Sequence, residues 1–308
     1  MKVIITGGSG LMGRALTQDL TADGHEVIIL SRSAKKVAGL PSGAQALGWD
    51  ARTAQAWAQH AEGADAIVNL AGENLKGEGL LPKRWTRARK FLIRASRLNA
   101  GAAVVEAIRE ARKKPGVLVQ ASAVGFYGPR GAEKVDEQSP PGDDFLADLC
   151  QDWEASTAEA EKLGVRRVVV RTGIPLTASD GALPSLMLPF RLFSGNIFGN
   201  GRQYYPWIHF DDQIKALRFL IDNKQAKGVY NLTAPEPATA REFARALGKA
   251  MRRPVWLPTP AFALRLALGE VSTVVLDGQR ALPTRLLEQG FEFRYPQLEP
   301  ALRDAVAS

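Results

Sequence analysis

The chain has 308 residues, a mass of 33.3 kDa, a formal charge of +8 and a pI near 9.7. With 45% hydrophobic and 23% charged residues and no low-complexity tract, it excludes extensive disorder. A single cysteine, Cys150, excludes an intramolecular disulfide. Its three histidines, His25, His60 and His209, lack zinc-ligand spacing, and no stretch approaches a membrane span.

The first predicted strand, residues 2–6, carries the apolar run Val3-Ile4-Ile5 and leads directly into Thr6-Gly7-Gly8-Ser9-Gly10-Leu11-Met12-Gly13. Helical spacing of apolar residues follows over 11–20, and a second buried strand is predicted over 26–30. A glycine-rich turn between a strand and a helix is a phosphate cradle. Gly7 takes the tight turn, Gly10 lets backbone approach a pyrophosphate, and Gly13 lets the helix pack closely. The unpaired N–H groups and positive dipole end of the helix then stabilise the anion.

The second strand ends Leu30-Ser31-Arg32-Ser33, where NAD-preferring sites carry an acidic residue. A guanidinium suits a phosphate, and a carboxylate would repel it. The expected cofactor is NADP(H), with Arg32 on the 2′-phosphate and Ser31 or Ser33 assisting.

Further strands are predicted over 45–47, 66–70, 117–122, 167–171 and 228–232, with helices between most of them. This alternation predicts an α/β fold with a doubly wound parallel sheet. Ligands bind outside the carboxyl ends of such strands. The site candidates are accordingly the glycine loop, Ser31-Arg32, Trp49-Asp50, Ala71-Gly72-Glu73, Ser122-Ala123 and Thr172-Gly173-Ile174. The basic residues from Lys83 to Lys114 recur at helical spacing and read as a solvated helix face, with no nucleic-acid-binding motif.

Beyond residue 174 the chain turns loop-rich, with Gly181, Pro184, Pro189, Gly195, Gly199, Gly201 and Pro206. Asp211-Asp212 offers an N-cap for a helix over 214–221, and Thr239 one for a helix over 241–251. The predicted organisation is a cofactor domain over 1–173, its sheet completed by segments near 207–232. A substrate-side region over 174–253 and a small, mainly helical appendage over 254–308 follow.

Several side chains admit two readings. Glu73 meets substrate or forms an ion pair with Arg84, Arg94 or Arg97; His209 is a substrate ligand or a satisfied, partly buried histidine. Arg202 clamps an anionic substrate or is an exposed loop arginine.

With these pieces placed, the chain resembles the extended short-chain dehydrogenase/reductase superfamily, whose glycine motif is T-G-x-x-G-x-x-G. It is most similar to the atypical branch called "epimerase family protein", in which a small C-terminal domain of unknown function follows the cofactor-binding part. The matching stretches are TGGSGLMG from Thr6, VNLAGE from Val68, KRW from Lys83, SAVGFYG from Ser122, DFLADLCQDWE from Asp144, RTGIPL from Arg171 and WIHFDDQ from Trp207. The resemblance implies a Rossmann-type NADP(H) site of Gly7, Ser9, Gly10, Leu11, Met12, Gly13 and Arg32, with Leu70, Ala71 and Gly72 beside the nicotinamide half. Thr6, Asp50, Ser122, Thr172 and Gly173 complete the expected cofactor contacts.

Catalytic members of the superfamily use Ser, Tyr and Lys, the last two as Y-x-x-x-K; Lys lowers the pKa of Tyr. Ser122 is kept, whereas the tyrosine position falls on Leu146 and the lysine position on Cys150. Leucine has no titratable proton and a neutral thiol no positive charge, which leaves Tyr127, five residues after Ser122, as the nearest acid. Two functions follow: an NADP(H)-dependent oxidoreductase or nucleotide-sugar-epimerase-like enzyme with an altered acid–base site, or a non-catalytic NADP(H)-binding or sensing protein. An unknown small-molecule substrate and a cytoplasmic location are expected, with neither nucleic acid nor membrane as partner. A protein partner and the oligomeric state are left open.

Overall fold

The computed structural model describes residues 1–77, 82–256 and 258–307. Seven strands form one parallel sheet: β1 (Lys2–Thr6), β2 (Glu26–Ser31), β3 (Ala44–Gly48), β4 (Ala66–Asn69), β5 (Val117–Ala123), β6 (Arg166–Thr172) and β7 (Gly228–Leu232). Their spatial order is β7-β6-β5-β4-β1-β2-β3. The order reverses between β1 and β4, the switch point at which sheets of this type bind ligands.

Alternation of side chains along each strand builds two cores. Val3, Ile5, Val27, Ile29, Val68 and Val119 pack on helices α1 (Leu11–Ala22) and α5 (Phe210–Asp222). Ile4, Ile28, Ile67 and Leu118 face the opposite way, onto Trp57 and onto Ala100, Val104 and Ile108 of α2 (Arg87–Glu110). Covering both faces excludes water, and the strands accordingly read as continuous apolar runs.

Inside the sheet a buried side-chain ladder ties three strands together. Thr6 Oγ1 donates to Asn69 Oδ1 at 2.5 Å, and Asn69 Nδ2 donates to Gln120 Oε1 at 2.8 Å. All three residues are fully buried, so each polar atom needs its partner.

Elsewhere, helix α3 (Phe145–Ala155) packs beside β5. A third core joins α4 (Leu183–Arg191), α6 (Ala240–Met251) and α7 (Leu298–Ala307) through Leu186, Phe190, Phe243, Leu247 and Leu302. The tail expected as an appendage is therefore distributed. Leu286 and Phe291 lie in the main sheet core, Ala281 beside Tyr127, and Val271 beside Trp85.

Thr239 caps α6 as expected, in a reciprocal box with Glu242. The cap of α5 differs from expectation: it is His209, whose Nδ1 accepts from the N–H of Asp211 at 3.2 Å. Asp212 instead accepts the backbone N–H groups of Arg294 and Tyr295 at 2.8 and 2.9 Å. His209 also lies against Tyr295, ring centroids 3.9 Å apart, with Nε2 3.3 Å from Asp304.

Burial lowers the pKa of His209, against the pull of Asp211, Asp304 and Asp212. The unfolded ring takes a proton from about pH 6.5 downward, where the folded ring resists it. Stability is therefore full above that pH and is lost as pH falls through the folded pKa. His209→Asn keeps an oxygen for the Asp211 N–H and removes this proton uptake. Between pH 7 and about pH 5.5 its Tm is expected to fall less than that of the unmodified chain, as thermal denaturation across pH will read.

Candidate functional site

The loop between β1 and α1 shows why glycine is needed there. Gly7 has φ +64°, and a Cβ on it would stand 3.0 Å from the Leu70 carbonyl carbon and oxygen. On Gly13 a Cβ would lie 2.4 Å from the Gly8 Cα, so the helix approaches the loop itself. Helix α1 begins at Gly10 with no side-chain cap and no acidic residue in its first turn. Its N-terminal N–H groups and positive dipole end are thus available to an anion.

A cleft of about 390 Å³ opens beside this loop, at the carboxyl ends of β1, β2 and β4. Gly7, Ser9, Gly10, Ser31, Arg32, Leu70, Ala71 and Gly72 line it, half of the expected cofactor residues, together with the substrate candidate Glu73. Ser9 Oγ and Ser31 Oγ are 3.3 Å apart, and Ser31 Oγ accepts from the Ser33 N–H. The cleft continues into a hollow of about 480 Å³ over Asp50, Ala51 and Arg52, sharing Arg32, Ala51, Glu73 and Ser96. Asp50 accepts the backbone N–H groups of Thr53 and Arg52, which hold its carboxyl below the usual range.

Thr6, Leu11, Met12 and Gly13, also expected at the cofactor, are not among the residues that line the cleft. Thr6 is enclosed in the buried ladder, where Oγ1 also accepts the Ala71 N–H at 3.2 Å. Leu11, Met12 and Gly13 form the first turn of α1, and Met12 Sδ accepts from Gln213 Nε2 at 2.8 Å. Glu73 lines the cleft, but its carboxylate pairs with Arg89 at 2.8 Å rather than with Arg84, Arg94 or Arg97.

A separate cavity of about 250 Å³ lies beyond the ends of β5 and β6. Ala123, Thr172 and Gly173 line it from the sheet, Leu146, Cys150 and Trp153 from α3, and Tyr204, Asp277 and Gln279 from the C-terminal half. Thr172 and Gly173 thus belong to this cavity and not to the dinucleotide cleft. Gly173 is required by close approach, since a Cβ there would collide with the Pro206 carbonyl oxygen at 1.9 Å. Both positions named for the missing Tyr and Lys therefore face the cavity. Burial pushes the Cys150 thiol up to about 11, so it is neutral near pH 7.

Ser122 and Tyr127, the expected catalytic pair, are drawn away from that lining into one closed network. The short 3₁₀ turn Val124–Tyr127 after β5 turns the ring of Tyr127 inward against Val135 and Ala281, and the residue is wholly buried. Its hydroxyl donates to Asn231 Oδ1 at 2.7 Å and accepts from Arg171 Nη1 at 3.1 Å. Arg171 grips Glu154 through two bonds of 2.8 and 2.9 Å, and Ser122 Oγ donates to the same carboxylate at 2.7 Å. Burial pushes the Tyr127 phenol up to about 12, with Arg171 and Asn231 pulling it back. A buried phenol committed in this way is a poor proton donor to a cavity it does not line.

The remaining substrate candidates also lie elsewhere. His209 is the helix cap described above, and Arg202 is exposed, lining neither cavity. On the basic helix α2, expected as a solvated face, Arg89, Lys90, Arg94 and Arg109 each bridge to an acidic residue outside the helix. Arg97 departs from it: only 7% exposed, it lines the cavity beside Cys150. The signal was present in the spacing, because Arg97 shares a face with Ile93, Ala100 and Val104. Among the described residues no group of three or more His, Cys, Asp or Glu is placed to hold a metal, and no helix is long and apolar enough to cross a membrane.

Comparison with known proteins accords with this geometry. The NAD dependent epimerase/dehydratase family matches residues 3–233, and a domain of unknown function, DUF1731, matches residues 259–305. Epimerase family protein SDR39U1 homolog, chloroplastic, of Arabidopsis thaliana is 39% identical over 98% of this chain and 86% of its own. Epimerase family protein YfhF of Bacillus subtilis is 38% identical over 100% and 98%. The crystal structure of human epimerase family protein SDR39U1 (isoform 2) with NADPH superposes with a TM-score of 0.85 at 33% identity, covering 100% of both chains. The chain belongs to the NAD dependent epimerase/dehydratase family, in the form that carries DUF1731 at its C-terminal end.

Proposed function

We propose that this protein is an NADP(H)-dependent oxidoreductase acting on a small molecule held in the cavity beyond β5 and β6. The observation that carries the reading is the contact between the two hollows. Gly72 of the dinucleotide cleft touches Arg97 of the second cavity, the guanidinium carbon standing 3.1 Å from where a Cβ would be. A molecule in that cavity therefore sits next to the end of the cleft expected to take the nicotinamide.

The residues fit the cofactor. The uncapped start of α1 and the tight glycine loop receive the pyrophosphate, while Ser31, Arg32, Ser33 and Arg52 surround the place of a 2′-phosphate. The human relative solved with NADPH supports the same choice. When bound, NADP(H) supplies or accepts the hydride. The chain's own residues orient the substrate and exclude water around it.

With Leu146 and Cys150 in the cavity wall and Tyr127 enclosed, the usual proton donor is missing. Of the groups lining the cavity, Asp277 holds its proton more tightly than a free carboxyl because it is partly buried, although Arg265 opposes this. This arrangement favours reduction of a carbonyl or activated double bond over epimerisation, which needs efficient proton transfer in both directions.

The loss of Tyr and Lys also favours a second reading, an NADP(H)-binding protein without turnover. Incubation with NADPH and a broad panel of carbonyl compounds, followed at the nicotinamide band, separates the two. The oxidoreductase reading expects oxidation with at least one compound. Tight NADPH binding without oxidation across the panel would select the non-catalytic reading.

A further inference from the structure

Arg97 brings to this cavity a charge that the surrounding protein does not neutralise. Its Nη1 is engaged, donating to the carbonyls of Glu73 and Ile93 at 3.0 Å each. The guanidinium lies 4.6 Å from the ring centre of Trp153. Nε has no hydrogen-bond partner among the described residues. The carboxylates on adjoining elements are committed elsewhere: Glu73 to Arg89, Asp152 to Arg94 and Glu154 to Arg171. Burial draws the pKa of Arg97 down to about 10, which leaves it charged near neutrality, and the adjacent Cys150 thiol stays neutral.

A buried cation without an ion-pair partner carries a desolvation cost that an anion offsets. Nε is itself enclosed, which leaves Nη2, with no hydrogen bond among the described residues, as the end of the guanidinium that can meet a carboxylate. Around it the cavity wall is largely apolar, with Leu146, Leu149 and Trp153. The other charged side chains in the lining, Asp144 and Asp277, are acidic and repel a second negative charge. At about 250 Å³ the cavity is also smaller than the roughly 300–1,000 Å³ pockets that hold drug-sized ligands.

We propose that the cavity takes a small monocarboxylate, with its carboxylate on the Nη2 end of Arg97 and its apolar body against Leu146, Leu149 and Trp153. This rests on the reading that the cavity is the substrate side of an NADP(H) site, and it narrows the substrate class. One buried cation matches one anionic head, whereas the diphosphate of a nucleotide sugar would bring two or more charges past two acidic residues.

The test uses the full chain, titrated with hexanoate and benzoate and with their uncharged counterparts hexanamide and benzamide, each with and without saturating NADPH. At least one acid is expected to bind about tenfold or more tightly than its amide. Arg97→Gln should erase that preference, and Arg97→Lys, which keeps the charge without the fork, should retain part of it. Equal binding of acids and amides, absence of binding by both acids, or an unchanged preference in Arg97→Gln overturns the proposal. The acid-against-amide comparison in the unmodified chain stands even if the variants fail to fold. Failure of NADPH to bind, scored separately, counts against the cofactor reading.

Discussion

Replacing Arg32 by alanine is expected to weaken NADPH binding by about ten- to a hundredfold while moving NADH by less than about twofold. Arg32 is exposed at the end of β2 and lines both parts of the dinucleotide cleft. A planar guanidinium there gains charge-assisted bonds only when a 2′-phosphate is present. Exposure puts the site under solvent screening, so the difference between cofactors should shrink as salt rises. Fluorescence titration with each nucleotide at two ionic strengths measures it. Because Arg32 is exposed, Tm should hardly change, which separates a binding defect from a folding defect. Equal losses for both nucleotides would show that Arg32 does not read the 2′-phosphate.

Strands were legible in the sequence because a parallel sheet covered on both faces demands unbroken apolar runs. Val3-Ile4-Ile5 and the run from Val27 to Leu30 could be placed within a residue of their observed ends. The glycine loop was legible for a steric reason, since Gly7 and Gly13 leave no room for a Cβ. Long-range pairings were not legible. Asp211 and Asp212 look like caps when only their own helix is considered, yet Asp212 is committed to Arg294 and Tyr295, more than eighty residues away. Tyr127 looks like a replacement acid at five residues from Ser122. Only the fold shows Asn231 and Arg171 closing over its hydroxyl.

Charge in the second cavity was hidden for a related reason. The basic run from Lys83 to Lys114 reads as one solvated face, and Arg89, Lys90, Arg94 and Arg109 within it pair with acidic residues. Arg97 differs by pointing inward, toward the positions where related enzymes place Tyr and Lys and this chain has Leu146 and Cys150. The positive charge at this end of the molecule thus comes from α2 rather than from α3. Helix α3 carries no lysine or arginine, and at the lysine position only the neutral thiol of Cys150.

Glu154→Gln is expected to destabilise the fold by about 3 kcal/mol, because it breaks a buried ion pair from one side. The Arg171 and Glu154 side chains are 5% and 13% exposed, so solvent screens them little. Arg171 also lies 3.3 Å over the ring of Phe126 and bonds Tyr127. Loss of the carboxylate would leave a cation enclosed among aromatic rings, and Ser122 Oγ would lose its charged acceptor. In a chain of this size the loss corresponds to a Tm lower by about 5 °C. Arg171→Met should cost a similar amount. The double variant Arg171→Met/Glu154→Gln should cost clearly less than the two single losses added together, since it leaves no unpaired charge. Neither residue lines the dinucleotide cleft, so Glu154→Gln should still bind NADPH with near-normal affinity below its own Tm. Urea denaturation of the four proteins in one double-mutant cycle decides the matter. A loss below about 1 kcal/mol for Glu154→Gln, or simple additivity in the cycle, would mean that Ser122 and Tyr127 are held by their backbone turns and not by this network.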